Sequence, residues 1–264
     1  MSTYVIGDIH GCMDEFKQML DNIHFSDDDI LILTGDYIDR GKQNKEMLDW
    51  LLNKPENVIA IKGNHDITYC AYVNIMQIAG DKRNLNKRYD SQLETMVRYS
   101  CAISYLTEER PWDSIYFDYY KTLDMLIDDE GVTFAEMLEW KDMIDAYPYY
   151  VKLQVNGRDY VVVHASYRED STNTQPFDSI EEYYVYARDE ALDCGVKGKT
   201  IVAGHSPTIF KDLPFYNDGK IFKYHKKEDN MSFYNVDCGC VYREKYRNAR
   251  LACIRLEDEK EFYV

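Results

Sequence analysis

Five short apolar runs punctuate this chain, and each breaks into a polar cluster. Tyr4-Val5-Ile6 leads into Gly7-Asp8-Ile9-His10-Gly11, and Ile30-Leu31-Ile32-Leu33 leads into Gly35-Asp36-Tyr37-Ile38-Asp39-Arg40-Gly41. Val58-Ile59-Ala60-Ile61 leads into Gly63-Asn64-His65-Asp66. Farther on, Tyr160-Val161-Val162-Val163 precedes His164-Ala165, and Thr200-Ile201-Val202-Ala203 precedes Gly204-His205. Runs this short and rich in β-branched residues predict strands buried on both faces. After the first cluster, Met13, Phe16, Met19, Leu20 and Ile23 recur at helical spacing, and Met47, Leu48, Leu51 and Leu52 do so after the second. Asp8, Asp36 and Asn64 are each 28 residues apart, a span that fits one strand–helix–strand unit. The class is α/β.

Residues 67–150 differ in character, being rich in Tyr, Met, Leu and acidic residues with few strand signals. Helices are predicted near 68–79, 90–107, 114–128 and 133–146, with breaks at Gly80-Asp81 and Asp129-Glu130-Gly131. The block separates the third and fourth clusters. It is expected to fold beside or over the site, as a helical insertion in one domain spanning 1–264. Strands resume over 149–163 with a hairpin turn at Asn156-Gly157. A polar stretch, 167–186, then leads to Arg188, and an irregular one follows His205 to about residue 230. Met231–Val236 and Arg250–Leu256 read as strands closing the sheet.

The net charge of −16 changes the picture of possible partners. Such a field opposes nucleic-acid backbones and anionic membranes, so a phosphorylated substrate must be drawn in by local positive charge. The seven cysteines show no repeated spacing. Cys238-Gly239-Cys240 lacks the second pair of a zinc ribbon, and on a strand its thiols would share one face in the core. Free thiols fit a reducing cytoplasm. No apolar stretch approaches the length of a membrane span, and chemistry beginning at Asp8 leaves no room for a targeting peptide. A soluble cytoplasmic protein is the expectation.

Ligands in open α/β sheets gather beyond the carboxyl ends of the strands, where all five clusters lie. Asp8 and His10 pair a carboxylate with an imidazole, which suits a first-row transition metal. Asp36 has lone pairs enough to bridge two ions, and Asn64, His164 and His205 supply neutral ligands for the second. Two ions about 3.5–4 Å apart can ionise a bridging water and clamp the oxygens of an in-line displacement at phosphorus. His65, beside a proposed ligand, is the candidate for protonating the leaving group, with Asp39 holding its far nitrogen. Arg40 offers a fork of donors to phosphate oxygens. His24 and His225 lie outside the clusters and read as a helix-end and a loop residue.

In sequence, these clusters resemble the phosphoprotein phosphatase branch of the calcineurin-like metallophosphoesterases, whose motifs GDxHG, GDxxDRG, GNH(E/D), HA and GH occur here in full and in order. Asn235-Val236-Asp237-Cys238-Gly239 is similar to the family's closing strand. The resemblance implies a two-sheet β-sandwich flanked by helices, with two divalent ions at its edge. Asp8, His10, Asp36, Asn64, His164 and His205 are then the ligands, His65 the acid and Asp39 its partner. The resemblance also implies a second phosphate-binding arginine between the late histidines. Arg188, 24 residues after His164, has the spacing of small bacterial and bacteriophage members, and Arg168 is the alternative. Such members prefer manganese, while the ligand set leaves iron and zinc open. Asp66 stands where eukaryotic members usually have glutamate.

The implied activity is a phosphomonoesterase acting on phosphoserine or phosphothreonine in proteins, with phosphotyrosine as a further substrate. The alternative is symmetrical cleavage of diadenosine tetraphosphate, or another nucleotide or RNA-end phosphatase activity. The diadenosine branch typically lacks the aspartate equivalent to Asp39, which places the protein phosphatase reading first. A metal-binding scaffold without turnover is the competing class. The intact ligands and the proposed acid argue against it.

Overall fold

The apolar runs form strands whose side chains alternate between separate cores. The computed structural model describes residues 1–79, 122–123, 125–170, 172, 174–193 and 196–264. Strands β1 (Thr3–Ile6), β2 (Ile30–Leu33) and β3 (Val58–Ala60) pair in parallel, joined by helices α1 (Met13–Ile23) and α2 (Asn44–Leu52). On the other side of β1, β9 (Ala252–Arg255) and β10 (Lys260–Tyr263) complete a sheet of order β10-β9-β1-β2-β3.

The second sheet has order β4-β5-β6-β8-β7. In it β5 (Arg158–Val163), β6 (Lys199–Ala203) and β8 (Met231–Asn235) are parallel, while β4 (Tyr150–Val155) and β7 (Phe222–Lys226) run antiparallel at the edges. The β4–β5 hairpin turns at Asn156 and Gly157, whose φ values of 50° and 77° suit a type I′ turn.

Between the sheets, Val5, Ile32, Val162, Val202, Val236 and Ile254 share one apolar core. Their neighbours in sequence point the other way, as the two-residue period of a strand requires. Ile6, Leu31 and Leu33 pack under α1 and α2, against Phe16, Met19, Met47 and Leu51. Val161, Val163, Ile201 and Ala203 pack against Tyr183 and Val185 of α5 (Ile180–Tyr186), counting α3 (Asn64–Ala79) and α4 (Phe134–Asp145) before it. The two sheets flanked by helices are the expected fold, and the six parallel strands all lead into candidate site loops.

Several finer expectations are corrected. Helix α3 begins at Asn64, inside the third cluster, so this motif is the first turn of a helix. Helix α4, by contrast, matches the helix expected over 133–146 and is capped by Thr133, whose side chain and Glu136 form a reciprocal capping box. The expected 90–107 helix lies outside the described residues, as does most of 114–128; Met125–Asp129, overlapping its end, forms a turn of π-helix. The described part of the central block starts beside the site, since α3 begins at Asn64. Tyr69, Val73, Leu126, Met137, Trp140 and Ile144 join the core outside the first sheet.

The stretch after His205 contains strand β7, which places His225 in an edge strand rather than a loop. The polar 167–186 stretch contains α5. Cys238 and Cys240 do not share a face: Gly239 turns the chain at φ 74°, sending one thiol into the inter-sheet core and the other under α1. Among the described residues the five cysteines are free and buried, and no helix is long and apolar enough to cross a membrane.

Candidate metal centre

The loops that follow the parallel strands are cross-linked before any side chain is considered. The amides of Ile9 and His10 donate to Asp36 O (3.2 and 2.9 Å), and Gly11 N donates to Tyr37 O at 2.7 Å. Gly204 N donates to His164 O at 2.8 Å, and Val236 N to Ala203 O at 2.7 Å. In these loops His10, Asp36, Asp39, Arg40 and His205 sit at positive φ, from 47° to 72°. Each such residue costs about 1–3 kcal/mol and persists only where its surroundings over-determine it.

The side chains then converge. Asp36 Oδ2 lies 3.6 Å from His10 Nε2, 3.5 Å from His164 Nε2 and 4.0 Å from His65 Nε2. Asn64 Oδ1 is 2.9 Å from both His164 Nε2 and His205 Nδ1, and those two nitrogens are 3.2 Å apart. Two groups of possible ligand atoms result, His10-Asp36-His65 and Asp36-His164-His205, sharing Asp36. All these side chains are buried. Asp8 belongs to neither group: its oxygens accept the His205 amide (3.1 and 3.0 Å) and the Thr34 hydroxyl (3.3 Å).

The donor set fits a cation. His10 Nδ1 is 2.7 Å from Ile38 O and His164 Nδ1 is 2.8 Å from Thr34 O, so both Nδ1 atoms carry the hydrogen. Their Nε2 atoms are thereby turned toward the Asp36 carboxylate, where a divalent ion could take a lone pair from each in place of the Arg40 contact at His10 and the proton at His164. Burial and the charge of Arg40 hold His10 well below its usual pKa, and burial and Arg188 do the same for His205. For His164 burial works downward, but the Asp36 and Asp8 carboxylates outweigh it and push the imidazole up to about 9. Asp8, Asp36, Asp39, Asp66 and Asp237 are all buried here. Burial and the neighbouring Asp237 charge push the Asp8 carboxyl well above its usual range. Imidazole, carboxylate and amide oxygen together suit a first-row divalent ion.

Around these donors stand the other expected residues. Asp39 Oδ2 accepts His65 Nδ1–H at 2.7 Å, leaving Nε2 to face the centre. The Arg40 guanidinium, on the exposed side, donates to His10 Nε2 and His65 Nε2, each at 2.8 Å. Arg188 donates to Ser206 Oγ at 2.8 Å, directly after His205. Arg168 instead lies 4.2 Å over the Tyr183 ring.

Two residues acquire parts that sequence reading did not give them. Asp66 Oδ2 accepts Asp36 N and Gly63 N, both at 2.8 Å, and its Oδ1 accepts Tyr37 N at 3.0 Å. It thus staples the second cluster to the third. Asp237, the first polar residue after the β8 run, accepts Gly239 N at 2.9 Å, and burial pushes its carboxyl up to about 6. It repeats the run-then-acid pattern of the first two clusters, which is the signal that could have found it.

Gly204 has no room for a side chain, since a Cβ there would land on Asp8 Oδ1 and Thr34 Oγ1. Gly204→Ala is therefore expected to displace Asp8 and weaken manganese binding about tenfold or more, read by isothermal calorimetry. Unchanged affinity would show that the Asp8 carboxylate does not support the centre.

The chain matches the family model described as calcineurin-like phosphoesterase over residues 1–238. It is 44% identical over 72 residues to a symmetrical bis(5'-nucleosyl)-tetraphosphatase of Buchnera aphidicola subsp. Baizongia pistaciae, covering 27% of this chain and 26% of that protein. It is 33% identical over 97 residues to the protein of the same description in Pseudomonas syringae pv. syringae, covering 36% of this chain and 31% of that one. The chain thus spans about a third or less of the length of these curated relatives. A metallophosphoesterase from Sphaerobacter thermophilus shares the fold at 13% identity with a TM-score of 0.50, covering 100% of this chain and 86% of that one. A hypothetical protein from Pyrococcus horikoshii OT3 does so at 13% identity and 0.53, with the same coverage.

Proposed function

From the chain's membership of the calcineurin-like phosphoesterase family, we propose a metal-dependent phosphoesterase that hydrolyses dinucleoside polyphosphates of the diadenosine tetraphosphate kind. The observation that carries the phosphoesterase chemistry is the pair of donor groups sharing Asp36. The nucleotide substrate is supported by the curated relatives, and this reverses the order in which the sequence motifs placed the two readings.

In this reading two divalent ions, manganese by family resemblance, are held by Asp8, His10, Asp36, Asn64, His164 and His205. When bound, such ions neutralise phosphoryl oxygens and supply a water-derived nucleophile at neutral pH. The chain's own residues do the rest. Arg40, and Arg188 from the opposite side, bind the equatorial phosphate oxygens as guanidinium forks. Water oxygen attacks phosphorus in line, and the phosphorus–oxygen bond to the departing diphosphate breaks. With Arg40 engaged on phosphate instead of on His65 Nε2, a protonated His65 oriented by Asp39 delivers a proton from Nε2 to the departing oxygen. One water and one dinucleoside tetraphosphate give two nucleoside diphosphates.

A second reading, phosphomonoester hydrolysis on serine, threonine or tyrosine of proteins, is favoured by the 2.7 Å Asp39–His65 bond. An alkoxide leaving group needs a proton far more than a diphosphate does. His65→Asn should therefore lower turnover of a phosphoserine peptide by about 10²–10⁴-fold while metal content is unchanged. The same change should cost diadenosine tetraphosphate cleavage much less. Equal losses on both substrates would remove His65 from the acid role.

The deciding experiment strips the protein of metal, reloads manganese, and compares diadenosine tetraphosphate with phosphoserine and phosphotyrosine peptides at matched concentrations. Manganese-dependent release of two nucleoside diphosphates, faster than phosphate release from peptides, supports the first reading. The reverse ranking supports the second. No manganese-dependent turnover of any of them would leave the metal-binding scaffold.

A further inference from the structure

Beyond Asp237 the chain makes one 3-10 turn, Cys240–Tyr242, and then runs through a short polar segment to β9. From Tyr242 to Arg250 this segment holds four cations, Arg243, Lys245, Arg247 and Arg250, against one acid, Glu244. That balance is the opposite of the chain's overall charge of −16. The segment is pinned to the second cluster. Lys42 Nζ is 3.0 Å from Glu244 Oε1, and the Arg40 guanidinium carbon is 5.9 Å from the Tyr242 ring centre. Arg243 reaches the other way, to Glu15 Oε1 at 2.6 Å and Cys12 Sγ at 3.2 Å, and so fastens the segment to the start of α1.

Three half-exposed rings stand on this segment and the loop facing it. Phe210 meets Tyr242 at 5.0 Å and Tyr246 at 5.4 Å between ring centres, and the two tyrosines are 6.4 Å apart, all edge to face. They lie outside the three buried cores, so their packing serves no sheet or helix layer. Lys245 Nζ is 5.3 Å from the Tyr246 ring centre. Through Arg40 this aromatic wall lies one side chain from His10 and His65.

We propose that Phe210, Tyr242 and Tyr246, with Lys245 and Arg247, form a recognition platform for one nucleoside phosphate of the substrate. This rests on the dinucleoside polyphosphate reading above and names the part of the site that selects it. A nucleobase has a flat face that stacks on half-exposed rings whichever base it is, and its phosphates need a local excess of cations, which this segment holds within a chain of net charge −16. Neither feature is required to hold a single phosphoryl group on a centre already supplied with Arg40 and Arg188.

The test uses Phe210→Leu/Tyr246→Leu, which spares the Tyr242 contact with Arg40, and separately Lys245→Gln/Arg247→Gln. The platform predicts that KM for diadenosine tetraphosphate rises about tenfold in each double variant with little change in kcat. Turnover of glycerol 2-phosphate, which has no base, should stay at the wild-type level. A KM shift equal for both substrates, or absent from both, overturns the platform. If the wild type cleaves glycerol 2-phosphate but not diadenosine tetraphosphate, the functional reading fails first. Calorimetry with adenosine diphosphate and the manganese-loaded proteins then decides the platform alone. Weaker binding in the ring variant than in the wild type supports it, and equal or absent binding in both ends it.

Discussion

Replacing Asp36 with asparagine is expected to empty the centre of firmly held metal and to lower kcat/KM by about 10³-fold or more. Asp36 Oδ2 lies 3.6 Å from His10 Nε2, 3.5 Å from His164 Nε2 and 4.0 Å from His65 Nε2. Asparagine preserves the volume and one oxygen, so the His65 amide, now 2.9 Å from Asp36 Oδ1, keeps an acceptor. What is lost is charge. His164 and His65 hold the carboxylate well below its usual pKa against the burial that raises it, so it is anionic at neutral pH. A neutral amide leaves neighbouring imidazole lone pairs with no anion to share a divalent ion. Metal per chain after dialysis, measured by plasma mass spectrometry, should fall to well under one. Retention of wild-type metal content would remove Asp36 from the bridging position.

Asp66→Ala is expected to be the most damaging change to stability among the site residues that touch no metal. Its carboxylate is fully buried and accepts three backbone N–H groups, those of Asp36, Tyr37 and Gly63. Truncation orphans all three in a place water cannot reach. At about 1–3 kcal/mol for each buried unsatisfied donor, the loss is about 3–9 kcal/mol. Because Asp36 loses its own amide partner, metal affinity should fall together with the melting temperature. Asp66→Glu keeps both acceptor oxygens on a longer arm and should be milder. Chemical denaturation with and without manganese checks this. A loss below about 1 kcal/mol for Asp66→Ala would mean the two loops hold each other without the carboxylate.

These two residues differ in how legible they were. Asp36 stands in a motif whose neighbours suggest its chemistry. Asp66 stands in an equally recognisable motif, but two of its three backbone-amide partners, Asp36 and Tyr37, are 30 and 29 residues away, and no side-chain pattern announces them. Thr34, which carries both the His164 and the Asp8 contacts, was invisible for the same reason. The choice between Arg188 and Arg168 was likewise a matter of reach. One side chain extends to the loop after His205, and the other lies flat on Tyr183.

By itself the sequence indicated the parallel strands, the helices after the first two, and nine of the side chains that gather at the strand ends, with Arg188 and Arg168 left as alternatives for a tenth. Strand and turn are local matters: β-branched runs, helical periodicity and glycine punctuation act within about ten residues. Tertiary structure alone decided the rest. It brought Asn64 to His164 across 100 positions and to His205 across 141, because two sheets stack with their parallel ends at one edge. It put β7 at the edge of the second sheet, where pairing with β8 gives a weakly patterned polar segment a ladder it could not form alone. It separated Cys238 from Cys240 by a left-handed glycine, and it laid the described helices of the central block against the core of the first sheet. In each case the deciding contacts join residues far apart in the chain, whose meeting depends on the burial of whole faces and leaves no local mark.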